Sequence, residues 1–254
     1  MLKNISPLGQ VFLFIFLVFI CGMMGSSILG LALMPTVSED MLINLDMSDA
    51  RIILVLNLFS QVFSFLVAFL VYLRITGERF SDLVHIQKIQ LKPLLITLAL
   101  LVFCFFAFPL FELLNEPLRQ IVPNEALARE ILINEQNEAL FFQSDPIQFA
   151  FSLVVVALLP AIFEELVFRG FLIKKMMQSG MSDYGAILMS ALIFSVTHLQ
   201  PMKFLAMFTL GAIFGFLYIK YRNIKYSIIL HFLFNGTQIA MAFLAGSGLP
   251  YIDL

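Results

Sequence analysis

Tryptophan is absent from this 254-residue chain and charge is scarce, with Asp, Glu, Lys and Arg making up 13% against 61% hydrophobic residues. Soluble domains carry roughly a quarter of their residues charged, so the composition excludes that class and points to a polytopic helical membrane protein. Only two cysteines are present, Cys21 and Cys104, both inside apolar runs. They are too few for a disulfide framework or a cysteine metal motif, and read as small buried hydrophobes. No small-residue cleavage site closes the first apolar run, which continues from Val11 to Met34, too long for a signal core. No cleaved leader is therefore expected. Solenoid repeats and low-complexity tracts are also lacking. The formal net charge of −2 identifies no partner, and no nucleic-acid partner is expected.

What is abundant is long apolar sequence. A helix needs about 20 such residues to cross the hydrocarbon. Seven segments qualify, some loosely: Val11–Met34, Ile52–Val71, Leu94–Leu114, Ile147–Phe168, Ala186–His198, Phe204–Ile219 and Ser227–Ala245. The fold class predicted is all-α, a polytopic transmembrane bundle of about seven spans. Its parts are amino-terminal helices over 1–114, a connection over 115–146 and a core over 147–245. The fifth and sixth segments are short and Pro201 separates them, so one kinked or re-entrant unit is an alternative to two spans. Small-residue pairs at Ser26-x-x-x-Gly30 and Gly211-x-x-x-Gly215 predict close helix packing.

The scarce charges are unevenly placed. The amino terminus and the stretches 72–93, 169–183 and 219–226 hold 11 of the 15 Lys and Arg residues. The other side keeps Arg51, Arg119, Arg129 and Lys203, with most of the acids: Glu39, Asp40, Asp46 and Asp49, then Glu116, Glu125, Glu130, Glu135, Glu138 and Asp145. The positive-inside rule puts the amino terminus in the cytoplasm and the carboxyl terminus outside. Within the 115–146 connection, "EALAREILINEQNEALFF" has helical spacing and is expected along the outer interface. Asp145 reads as N-cap, Pro146 as N1 and Gln148 as N3 of the next helix.

Against this background the polar residues inside apolar segments need a reason, because charges in lipid persist where they face a protein interior and perform a function. "EELVFR" places Glu165 and Arg169 four apart on one helical face, acid first, the favourable order for an ion pair. Glu164 is turned about 100° away and does not share that partner equally. A carboxyl left alone in an apolar pocket suits general acid–base work; two glutamates lining a watery cavity is the alternative. "FSVTH" adds His198, and "HFLFN" adds His231 with Asn235 four residues later on the same face. His85 falls in a basic stretch and reads as solvated. In an antiparallel hairpin, residues equidistant from the turn share one depth. Positions 164 and 198 average 181, the middle of "SGMSD", so Glu164 and His198 are expected to face each other.

A carboxylate and an imidazole can hold and deprotonate one water, while a second imidazole and an amide can donate to an oxyanion. The same Glu164, His198 and His231 could instead ligate zinc. HExxH is missing, and no Ser or Cys has an evident base beside it, which disfavours the usual zinc-peptidase helix and covalent catalysis.

The ordered set "EELVFR", "FSVTH" and "HFLFN" resembles the EExxxR, FxxxH and HxxxN motifs of the CPBP intramembrane proteases. That family includes type II CAAX prenyl endopeptidases and bacteriocin-immunity and abortive-infection-type proteins. The resemblance covers roughly residues 147–240 and implies peptide-bond hydrolysis of a membrane-associated protein or peptide. It implies Glu164 as the base activating water with His198, and His231 with Asn235 as the oxyanion site. Glu165 and Arg169 would support them, and Phe194 would pack one turn from His198. The family has carried a metalloprotease label, and a metal-free glutamate mechanism also fits. The expectation here is no cofactor, with zinc as the alternative. The implied location is the bilayer of a bacterial cytoplasmic membrane. Non-proteolytic immunity or scaffold proteins and proton-coupled transporters are the competing function classes.

Overall fold

The computed structural model describes residues 5–33, 50–141 and 145–246. Met34 and the acidic stretch with Glu39, Asp40, Asp46 and Asp49 lie outside them. Among the described residues every regular element is helical, as lipid demands, since only a helix or a closed barrel satisfies its own backbone polar groups there. Helix α1 is Pro7–Leu33; α2 runs continuously through Ala50–Gln61, a π-helical turn Val62–Val67, and Ala68–Thr76. Helix α3 is Leu91–Asn115 and α4 is Asn124–Phe141. Helix α5 is one long run, Pro146–Gln178, with π-helical turns at Leu153–Leu158 and Leu166–Ile173. Helices α6, Asp183–Thr197, α7, Phe204–Tyr221, and α8, Ile224–Gly246, complete the chain.

Six of these helices are long and apolar enough to span a membrane, and α6 is a shorter apolar one. That makes a helical membrane bundle with about seven spans. Helices α6 and α7 are separate and pack side by side, so they do not form a single kinked helix. Their approach is close because Gly211 on α7 faces Ala191 on α6. A Cβ at Gly211 would stand 3.0 Å from the Ala191 Cα. Of the other predicted small pair, the surroundings of Gly30 lie outside what is described. Ser26 is exposed and its hydroxyl donates to Gly22 O of its own helix. The close approach in α1 is at Gly22 and Gly25, whose added Cβ atoms would meet Ser64 and Phe63 of α2 at 2.6 and 2.5 Å.

Local signals set the helix ends that position the core. Asp145 caps α5 by accepting from the Ile147 N–H at 2.9 Å, with Pro146 following. Helix α5 stops at Gly180, whose φ of +96° suits the residue lacking a Cβ, and Ser182 then caps α6. The turn at 179–182 thus sits where the hairpin arithmetic put it. The π-helical turn and Pro160 disturb the α5 ladder, because Pro160 has no N–H to give Val156 O. Two side chains from other helices supply donors there: Gln61 Nε2 reaches Val155 O at 2.9 Å and Asn235 Nδ2 reaches Val156 O at 3.4 Å.

The loops gather at two ends. One holds 77–90, 179–182 and 222–223, where Asn223 bonds the Gln87 backbone and Tyr226 accepts from the Gln90 N–H. The other holds 116–123 and 198–203, where Glu130 of α4 accepts from the Met202 N–H at 2.9 Å and Asn115 donates to Met202 O. One apolar core of aromatic residues, from Phe14 and Tyr72 through Phe171 and Phe194 to Phe234, joins α1 and α2 to the later helices.

Candidate active site in the membrane

Arg169 anchors the site. It is wholly buried inside the bundle and belongs to no loop, although it falls within the basic stretch 169–183. Its Nη1 donates to Glu165 Oε1 at 3.0 Å and its Nη2 to Gly211 O at 3.0 Å. Three rings surround the guanidinium, with the centroids of Phe168, Phe194 and Phe214 at 5.7, 4.9 and 5.0 Å. A planar, weakly hydrated cation is suited to such a setting.

Glu165 is also fully buried, and its Oε1 accepts a second bond from His231 Nδ1 at 3.0 Å. A carboxylate held by an arginine has only acceptors to offer, so the imidazole must donate, which puts the proton on Nδ1. His231 lies face to face with Phe214 at 4.9 Å, and its Nε2 is 4.0 Å from Glu164 Oε2. Sequence reasoning gave Glu165 only one partner; the structure makes it the common partner of Arg169 and His231. Among the described residues Oε2 of Glu165 has no partner of its own; the neighbouring Glu164 differs in making no hydrogen bond through either oxygen and in lining a cavity. Its Oε2 is buried and has no hydrogen-bond partner.

His198 terminates α6. Its Nδ1 is 2.7 Å from Phe194 O, one turn back, and the two rings are 4.6 Å apart, which leaves Nε2 for other contacts. The residue after it, Leu199, has φ +56°, a left-handed conformation that breaks the helix at this point. Glu164, His198, His231 and Asn235 all line one cavity of about 740 Å³, with no direct hydrogen bond between Glu164 and His198. Asn235 spends one amide hydrogen on Val156 O and retains the other. His85 lies at the opposite end of the bundle. It is exposed, and partial desolvation with the charges of Lys174 and Arg222 pushes its pKa below the ordinary imidazole value.

The cavity wall contains polar residues that motif reading passed over: Asn57 and Gln61 on α2, Glu112 on α3, Asn134 on α4, Lys203 and Gln238. A signal existed for some of them. Gln238 follows His231 and Asn235 at seven and three residues on one face of α8, and Gln61 and Glu112 interrupt apolar spans. Zinc as the alternative needs three protein ligands in reach of one point. Among the described residues no group of three or more His, Cys, Asp or Glu side chains has that arrangement, so Glu164, His198 and His231 do not fit the ion as placed, and no step is derived through it.

Fold and site together define a polytopic helical integral membrane protein with a buried carboxylate–imidazole cavity. Residues 146–237, from the start of α5 to just past Asn235, match the family model described as "Type II CAAX prenyl endopeptidase Rce1-like". Over this segment, about a third of the chain, the protein is similar to the CPBP/CAAX protease family. No curated protein and no solved structure matches the chain significantly.

Proposed function

We propose that the chain is an intramembrane endopeptidase in which Glu164 activates the attacking water. The observation that carries this reading is the Glu164 carboxylate, buried at one oxygen without a partner and facing a cavity shared with His198, His231 and Asn235. In the proposed step, water held between Glu164 and the His198 Nε2 attacks the scissile carbonyl carbon as its proton passes to Glu164. The oxyanion that forms is met by Asn235 and by His231 Nε2. Because Nδ1 already donates to Glu165, whose charge Arg169 offsets, His231 can donate from Nε2 only as imidazolium, a charge balanced by Glu164, 4.0 Å away, before the step and by the oxyanion after it. Glu164 then returns the proton to the leaving amine, and the carbon–nitrogen bond breaks. Glu165 and Arg169 position His231 without touching substrate, and Phe194 supports His198. No metal is required by this division of roles.

We assign the chain to a bacterial cytoplasmic membrane on its family resemblance, and its amino terminus to the cytoplasm on its basic-residue asymmetry. The substrate is a membrane-associated protein or peptide. The deciding comparison is proteomic: membranes carrying wild-type protein against membranes carrying Glu164→Gln. Cleavage products present only with wild type support the proposal. Identical peptide profiles, with both proteins accumulated equally, would overturn it.

A further inference from the structure

We infer that the Glu164 cavity opens toward the face of the membrane opposite the basic loops, so that its substrate is a polypeptide segment presented at the extracytoplasmic face. This rests on the protease reading above and adds the side from which substrate comes. Two independent observations carry it. The first is the length of α6. Its 15 residues rise about 22 Å at 1.5 Å per residue, short of the roughly 30 Å hydrocarbon thickness. Starting from the 179–182 turn, it therefore ends at the depth of Glu164, where Leu199 breaks it. Nothing of α6 fills the remaining depth beyond the site.

That remaining depth is the cavity. Its lining runs from His231 and Phe214 at the bottom to Asn57, Glu112, Asn134 and Lys203. Each of these four belongs to the end of the bundle away from the basic loops. Asn57 is near the start of α2, Glu112 near the end of α3, Asn134 on α4 and Lys203 in the turn before α7. Toward the 179–182 turn the bundle is closed instead, by the fully buried Arg169, Phe171 and Ile173 of α5 and by Lys175 paired with Glu78. Asn134 Oδ1 accepts from Lys203 and Gln200 at this end, which leaves Asn57 and Glu112 to meet a polar peptide backbone, while the aromatic floor suits an apolar side chain.

The second observation is the charge asymmetry. Arg74, Arg79, Lys88, Lys92, Lys174, Lys220, Arg222 and Lys225 all fall at the closed end. Basic residues in short loops mark the cytoplasmic side, so the open end faces outward.

Thiol labelling tests the facing without any substrate. Cys21 and Cys104 are buried, so an introduced cysteine reports alone. Asn57→Cys probes the cavity; the Asn57 amide bonds only Ile53 O of its own helix, and Gln238→Cys serves as a second cavity probe should the first fail to accumulate. Lys88→Cys probes the basic end. A charged, membrane-impermeant maleimide added to intact cells should label the cavity thiol and spare Lys88→Cys until the membrane is permeabilised. Labelling of Lys88→Cys in intact cells, or of the cavity thiol only after permeabilisation or not at all, would overturn the inference. Wild-type and Glu164→Gln proteoliposomes given external fluorescent casein supply the activity arm. Wild-type hydrolysis only where the exposed face is the one that labels the cavity thiol supports the inference, and hydrolysis only from the Lys88 face overturns it. No hydrolysis even in detergent counts against the protease reading alone, and the labelling still decides the facing.

Discussion

Glu164→Gln removes a proton acceptor and almost no volume, whereas Arg169→Ala strips a buried carboxylate of its cation. The two should fail differently. Breaking one side of a buried ion pair costs about 3–5 kcal/mol, so Arg169→Ala should fall in folded yield, read by fluorescence-detected size exclusion from detergent. Glu164→Gln should elute like wild type and show no turnover. A folded but inactive Arg169→Ala protein would assign the arginine to the chemistry itself. Zinc content is a second residue-scale test. Chelator-washed, active protein should retain activity without stoichiometric zinc. One zinc per chain, lost with activity and restored on re-addition, would replace the metal-free mechanism while leaving the protease assignment in place. At this scale the sequence made much legible. The acid-before-base spacing identified the Glu165–Arg169 pair, and it holds at 3.0 Å. What stayed hidden was the His231 contact to Glu165, which joins residues 66 apart in the chain and depends on how α5 and α8 are rotated. No local pattern encodes that rotation.

At the scale of elements, the irregularities of α5 and α6 shape the cavity. Leu199 sits in the left-handed region, which costs a residue with a Cβ about 1–2 kcal/mol. Leu199→Gly should therefore raise the detergent unfolding temperature, and it should reduce turnover if the rigid turn is what holds His198 in place. An unchanged melting temperature would show the strain to be already relieved. Gly211→Val tests the opposite case. Its side chain would press on the Ala191 backbone at the distance where only backbone can yield, and it would also crowd Phe194. We expect loss of folded protein, whereas wild-type yield would mean α6 and α7 can separate. The hairpin between α5 and α6 was readable because equal residue counts from a turn mean equal depth in antiparallel helices. The π-helical turns were not. At Leu153–Leu158 the turn lies where Gln61 and Asn235 lend donors to α5 carbonyls, a tertiary event that a 100° wheel cannot anticipate.

At the scale of the whole molecule, the family match covers only residues 146–237, yet the structure ties that segment to the amino-terminal helices. Phe171 of α5 packs its ring 4.6 Å from Phe14 and 4.9 Å from Tyr72. Lys175, almost wholly buried, pairs with Glu78, and Glu78 accepts from Tyr72, whose hydroxyl also meets Gln10 at 2.7 Å. A buried ammonium without its carboxylate is costly in any low-dielectric setting, and lipid offers no replacement donor or acceptor. The segment 115–254 expressed alone should therefore be degraded or aggregate. Co-expression of 1–114 as a separate chain should restore a folded complex, because the contacts are side-chain contacts and need no covalent link. The discriminating variant is Lys175→Met, which keeps the stem and removes the charge. If the buried ammonium is what makes the fragment fail, Lys175→Met should rescue part of the 115–254 yield. If it does not, the aromatic packing against Phe14 and Tyr72 is the dominant requirement. A stable, monodisperse wild-type 115–254 fragment would overturn both accounts, because the matched segment would then fold without the helices that this structure makes its support.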